Sequence, residues 1–238
     1  MSERAWPEVP GAGALVLVPV GSTEQHGPHL PLHTDTVVAE AVARLAARRL
    51  AEREPGVEVL VAPAVPFGAS GEHAGFPGTV SIGHEALAAV LVELVRSLAL
   101  WAGGVLFVNG HGGNTGTLAA VVRRMRGEGH AVDWAGCELP GADAHAGRTE
   151  TSLMLHLAPE LVRTEAAEAG DTRPIGELLP LLRAQGVRAV TANGVLGDPA
   201  GAGAEEGRAV LAAMAERVAE RVAERVAEGA GRRAGAQR

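Results

Sequence analysis

Lysine and tyrosine are absent from this 238-residue chain, and cysteine occurs once, at Cys137. A lone thiol excludes an internal disulfide, which fits a reducing compartment and predicts a cytoplasmic protein. Aromatic residues make up only 3 % of the chain, so Ala, Val and Leu must pack most of the core. The basic side chains are all arginine, beside abundant Ala and Gly, a bias of GC-rich coding more than of function. The net charge of −7 argues against nucleic-acid binding, which needs a basic patch. No apolar run approaches the ~18 residues of a membrane helix. The opening MSERAWPEVP lacks the apolar core of a leader. Neither a membrane span nor a targeting segment is expected.

What is present is ordinary for a globular protein: 47 % hydrophobic and 21 % charged residues, in a length that one core can serve. One domain is expected over 1–228, with a disordered tail at 229–238. Short β-like runs stand at 14–20, 58–62, 104–108 and 130–134. Helix-like segments lie between them at 35–54, 83–102 and 114–127, then at 148–157, 174–185 and 203–228. Such alternation reads as α/β with a largely parallel sheet. The unalternated apolar runs fit strands covered by helices on both faces. The segment AERVAERVAERVAE (215–228) repeats every four residues and sets Val218, Val222 and Val226 on one stripe. It reads as a packed terminal helix with a charged outer face.

In such sheets ligands bind beyond the carboxyl ends of the strands, and there this chain carries its chemistry. GSTEQHGPHLPLHTD (21–35) holds three His and two carboxylates. Glu24 and His26, two apart, can point the same way in an extended segment. Asp35 opens the next helix, where a carboxylate is favoured. Carboxylate oxygens with an imidazole nitrogen suit Zn, Mn or Fe(II), although the same residues also suit a helix cap and a plain surface loop. NGHGGN (109–114) sets His111 among three glycines ahead of a helix that Asn114 would cap. It lacks the Lys and the spacing of a phosphate-binding loop, so His111 reads better as a further ligand. DAHAGRTETS (143–152) places His145 in a loop and Glu150 early in a helix. PFGASGEHAGFPGTVS (66–81), with Ser70, Glu72 and His73, suits substrate contacts or a lid. GASGEH is not a nucleophile elbow, and Cys137 has no base beside it.

Taken in order, GSTEQHGPHLPLHTD, EHAGFPGT, NGHGGN, DAHAGRTETS and GVLGDP (194–199) resemble the creatininase family of metal-dependent amidohydrolases, across residues 19–207. The resemblance implies a three-layer α/β/α sandwich with a mostly parallel central sheet. It also implies two divalent ions per chain (Zn with Fe(II), Mn or a second Zn) and a homohexamer. Carried over, Glu24, His26, Asp35, His111 and Glu150 are the metal ligands, with Asp35 the bridge. His145 is the catalytic histidine, and Ser70 and His73 contact substrate. Creatininase itself has a Glu two residues after the NGH histidine, where this chain has Gly113, a departure that points away from creatinine. The motifs leave the roles of His29, His33 and Gly113 open.

Within the family, VPVGSTEQHGPHLPLHTDT looks most like the peptidases that remove a C-terminal dipeptide from a modified precursor peptide. The chemistry that follows is attack on an amide by a water whose pKa two ions lower to about 7. His145 would then serve the oxyanion or the leaving nitrogen. The other readings are a small-molecule amidohydrolase, for a cyclic amide or formamide, and a non-catalytic metal or ligand-binding protein.

Overall fold

The computed structural model describes residues 1, 3–10 and 13–235, with side chains followed as far as Glu224. In chain order the elements are β1 (Leu15–Val20), α1 (Thr34–Arg53), β2 (Val59–Val61), α2 (Gly83–Leu98) and β3 (Gly104–Asn109). They continue with α3 (Thr115–Gly127), β4 (Val132–Gly136), α4 (Arg148–Leu157), α5 (Ile175–Gln185) and α6 (Ala204–Gly235).

Successive strand residues face opposite ways, and here that sorts the core into two layers. Val16, Val18, Val20, Val105 and Phe107 pack with Leu87, Leu91 and Val95 of α2 and with Leu118, Val122 and Met125 of α3. Leu17, Leu106 and Val108 face the other way, onto Val42 and Ala46 of α1, Leu153 of α4, and Met214, Val218 and Val222 of α6. The result is the expected α/β/α sandwich. The four strands are parallel in the order β2-β1-β3-β4. Val218 and Val222 of the repeat are buried, and on the charged side Glu216 pairs with Arg49 and Arg53 of α1. Val226 and the tail expected over 229–238 lie beyond the described side chains. Among the described residues no helix is long and apolar enough to cross a membrane.

The boundaries differ where main-chain partners compete. Strand β2 is only three residues, and its ladder stops at Leu17↔Val61, ahead of Pro19, which has no N–H to give. Beyond it the chain stays tied by Val65 N–H to the Pro19 carbonyl at 2.9 Å. Helix α2 ends at Leu98 rather than 102, because Gly103 N–H must already reach the Ala14 carbonyl, 2.8 Å away. Strand β4 starts at Val132 rather than 130, since His130 N–H is held by the Met125 carbonyl at the end of α3.

Parallel strands deliver their following loops to one edge of the sheet. From β1 the chain passes to β2 on one side and then to β3 on the other, so the loops after β1 and β3 part at a switch point, where α/β sheets bind ligands.

Candidate metal centre

The loop after β1 folds back on itself, with Glu24 N–H bonded to the Leu32 carbonyl at 2.9 Å, and returns through His33 into α1. His33 is exposed and its side chain caps nothing. Asp35, in the first turn, points inward at 2 % exposure. The exit from β3 runs against it: a Cβ on Gly110 would strike the Asp35 carbonyl, and this close passage delivers His111. The first turn of α4 brings Glu150. His145 is set by main-chain bonds to Leu196 in both directions, 3.2 and 2.9 Å, which is why the GVLGDP segment belongs to the site.

These side chains meet in two groups of three. His111 Nδ1 stands 3.1 Å from Glu24 Oε1 and 3.4 Å from Asp35 Oδ2. His26 Nε2 stands 3.0 Å from Asp35 Oδ1 and 3.9 Å from Glu150 Oε2. Within Glu24–Asp35–His111 and within His26–Asp35–Glu150 the candidate ligand atoms lie inside 4.8 Å of one another, and Asp35 belongs to both. A third such group, Glu24–His26–His145, overlaps them.

The donor set fits divalent cations. Glu24 Oε1 and Oε2 and Asp35 Oδ2 are buried with no hydrogen-bond partner, an arrangement that is costly unless something cationic satisfies it. The hydrogen-bond network also assigns the imidazole protons. His26 Nδ1 faces the Glu24 carbonyl at 3.1 Å, His111 Nε2 the Ala69 carbonyl at 3.3 Å, and His145 Nε2 the Gln25 carbonyl at 2.8 Å. A carbonyl can only accept, so each neutral ring donates there. The lone pairs of His26 Nε2, His111 Nδ1 and His145 Nδ1 are left facing the centre.

Gln25, between two ligands in sequence, completes this pattern. Its side-chain N–H groups reach His73 Nδ1 and the Gly194 carbonyl, both at 2.9 Å, and its oxygen accepts from Gly27 N–H at 2.9 Å. His73 Nε2 is thereby turned to Glu24 Oε1, 3.3 Å away.

Burial by itself would raise Glu24, but the His111, His73 and His145 rings hold its carboxyl well below the usual range. Burial likewise opposes a charge on His26, yet Asp35, Glu150 and Glu24 push it up to about 10. His111 rises well above its usual value, with Glu24, Glu72 and Asp35 overcoming burial. Burial lifts Glu150 to about 7, with Asp35 adding and His26 opposing. His145 goes the other way: burial, then His26 and His73, hold it far down, so it is neutral at physiological pH. A cation entering here displaces protons from His26 and His111.

The five expected ligands and His145 therefore meet at one place. Ser70 and His73 sit just behind it: Ser70 is fully buried against the Ser22 hydroxyl and 3.5 Å from His111 Nε2. His29 is buried with Nε2 2.9 Å from Thr151 Oγ1, next to Glu150. Asn114 does not cap α3. Its side chain instead joins two loops, accepting from Ala69 N–H at 2.9 Å and donating to the Gly21 carbonyl at 3.0 Å. A cavity of about 410 Å³, lined by Gln25, Leu32, Phe76, Pro77 and Asn193 among others, opens beside Gln25.

A family model described as creatininase, creatinine amidohydrolase, matches residues 2–222. The chain belongs to the creatininase family. Among its relatives in that family is the mycofactocin precursor peptide peptidase of Mycobacterium tuberculosis (strain H37Rv), 52 % identical over 212 residues, 88 % of this chain and 84 % of that protein. The protein of the same name from Mycolicibacterium smegmatis is 53 % identical over 203 residues, 84 % of this chain and 81 % of that protein. The creatinine amidohydrolase of Pseudomonas putida is 28 % identical over 204 residues, 68 % of this chain and 73 % of that protein. Of the solved structures, a mutant creatininase complexed with creatine gives a TM-score of 0.71 at 26 % identity, covering 94 % of this chain and 96 % of that one. A creatininase described with Mn gives 0.68 at 26 %, covering 89 % and 91 %, and a Zn-Zn type mutant gives 0.69 at 26 %, covering 89 % and 90 %.

Proposed function

We propose that this creatininase-family chain is a dinuclear metal-dependent peptidase that releases the C-terminal dipeptide of the modified mycofactocin precursor peptide. The observation that carries the metal chemistry is the pair of buried triads sharing Asp35, with carboxylate oxygens left unpartnered. The activity for which the relatives at 52 and 53 % identity are named supports the peptide substrate.

Glu24, Asp35 and His111 would hold one ion and His26, Asp35 and Glu150 the other, with Asp35 common to both groups. Mixed oxygen and nitrogen donors admit Zn, Mn or Fe(II), in keeping with the Mn and Zn-Zn creatininases. Bound divalent ions supply Lewis acidity, polarising the amide carbonyl and acidifying the attacking water.

His145 handles the proton. Its Nε2–H is committed to the Gln25 carbonyl, so Nδ1 is a free acceptor 3.8 Å from Glu24 Oε1. Nδ1 takes the proton of the water as it attacks the carbonyl carbon. It then passes that proton to the amide nitrogen as the C–N bond breaks, leaving a carboxylic acid and a free amine, between which the remaining proton of the water moves to give carboxylate and ammonium. We assign Ser70 and His73, which burial turns inward, to orienting His111 and Glu24. Leu32, Phe76 and Asn193 in the adjoining cavity face the substrate. The family's hexamer and a cytoplasmic location, supported by a single free cysteine, complete this reading.

The test is incubation with a short peptide ending in Val-Tyr, cyclised by decarboxylation, followed by mass spectrometry. Loss of a C-terminal dipeptide fragment that a chelator blocks is the expected result. An intact peptide beside two bound metals per chain would move the assignment to a small cyclic amide, the activity class of the Pseudomonas putida relative.

A further inference from the structure

Glu72 is not one of the five ligands, yet its side chain reaches the metal centre from behind. Its Oε1 lies 3.4 Å from His111 Nε2, the ring nitrogen turned away from Glu24 and Asp35. Two residues beyond His111 stands Gly113. A Cβ there would lie 2.5 Å from Glu72 Oε1, 2.6 Å from the Ala69 carbonyl oxygen, and closer still to His111 Nε2. Gly113 is not among the glycines of positive φ, so the backbone itself would accept any residue. What excludes a side chain at 113 is space, and the Glu72 carboxylate and the His111 ring occupy it.

We propose that Glu72 is a positioning residue for His111, and that Gly113 is the residue that makes room for it. This rests on the metal-centre reading above. With its Nε2–H shared between the Ala69 carbonyl at 3.3 Å and the Glu72 carboxylate, the ring is held in the tautomer that presents Nδ1 to the Glu24–Asp35 side. A carboxylate on the outer nitrogen also makes the inner one a more basic ligand, which a carbonyl does less well. Glu72 reaches His111 from a different loop, 39 positions earlier in the chain.

The test measures metal rather than turnover. Chelator-stripped protein is reloaded with Zn(II) or Co(II). Metal per chain is counted by mass spectrometry, affinity is read by competition with a chromophoric chelator, and the Co(II) absorption spectrum is recorded. E72A is expected to weaken one of the two sites by about 10- to 100-fold and to change the Co(II) spectrum. E72Q, which keeps an acceptor oxygen at the same reach, loses less. G113A weakens the same site by forcing Glu72 and His111 apart. E72A/G113A loses less than the product of the two single effects, because both act on one contact. Wild-type affinity with an unchanged spectrum in E72A, or single effects that multiply, would overturn the proposal while leaving the metal centre intact. If E72A does not fold by circular dichroism, E72Q decides, and wild-type affinity and spectrum there overturn it equally. A wild-type protein that takes up no metal overturns both readings at once.

Discussion

Raising the pH of the metal-free protein from about 6.5 to 10 should unfold it more easily, and His26 sets the size of the effect. Its imidazole, fully buried 3.0 Å from Asp35, is pushed from 6.5 up to about 10. A base whose folded value is raised stabilises fully below its unfolded value, and the contribution vanishes as pH climbs through the folded one. The window is therefore 6.5 to 10, and at ~1.36 kcal/mol per pH unit the ceiling is about 5 kcal/mol. Water entering a metal-free site screens the pair and lowers that figure. His111, also raised, acts in the same direction. The chain has no Lys or Tyr. The Cys137 thiol, pushed up by burial, adds a decline of its own only above its ordinary value of about 8.5, with or without metal, so the interval from about 6.5 to 8 isolates the histidines. The assay is urea unfolding at pH 6.5, 8 and 9.5, with and without chelator. Metal-loaded protein, whose His26 and His111 have already given up their protons, should not share the decline, and its apparent metal affinity should rise with pH. Metal-free stability that is flat or rises across this window would falsify the protonated His26–Asp35 pair.

Three further outcomes are expected. Asp35→Ala should abolish binding of both ions and all turnover; metal analysis showing two retained equivalents would remove its bridging role. His145→Ala should keep both metals and lose at least about 100-fold in turnover, the lower range for a general acid–base group. Metal loss in that variant would make His145 a ligand, as its place in the Glu24–His26 group allows. Leu32→Glu, on the wall of the 410 Å³ cavity, should raise KM for the peptide with metal content unchanged; an unaltered KM would take the substrate elsewhere.

The layers and the gathering of most of the candidate metal-centre residues were legible because each depends on local pattern. Val16, Val18 and Val20 against Leu17 alternate over a few residues, Glu24, His26 and His111 follow shortly after a strand, and Asp35 opens the next helix. What was hidden depends on partners distant in sequence. Asn114 looks like a helix cap, yet its oxygen goes to Ala69, 45 residues earlier. Ser70 and His73 read as substrate contacts in a Gly- and Pro-rich loop, and it is Ser22 and Gln25, 48 residues away in each case, that turn them inward. Gln25 itself sat in view between Glu24 and His26. Its work, linking His73 to the Gly194 carbonyl, becomes readable only when three loops are brought together. Strand β4 slid by two residues because a helix end claimed His130 first.

The candidate ligands reach from Glu24 to Glu150, and their triads are closed by loops after β1 and β3 and by the first turn of α4. A growing chain thus cannot own a complete centre until β3 has docked beside β1 and α4 has come down on the far layer. A chain stopped short of residue 148 would lack Glu150 and with it the His26–Asp35–Glu150 triad. On the proposed metal-centre reading, full loading would therefore report that β1, β3 and α4 are all in place.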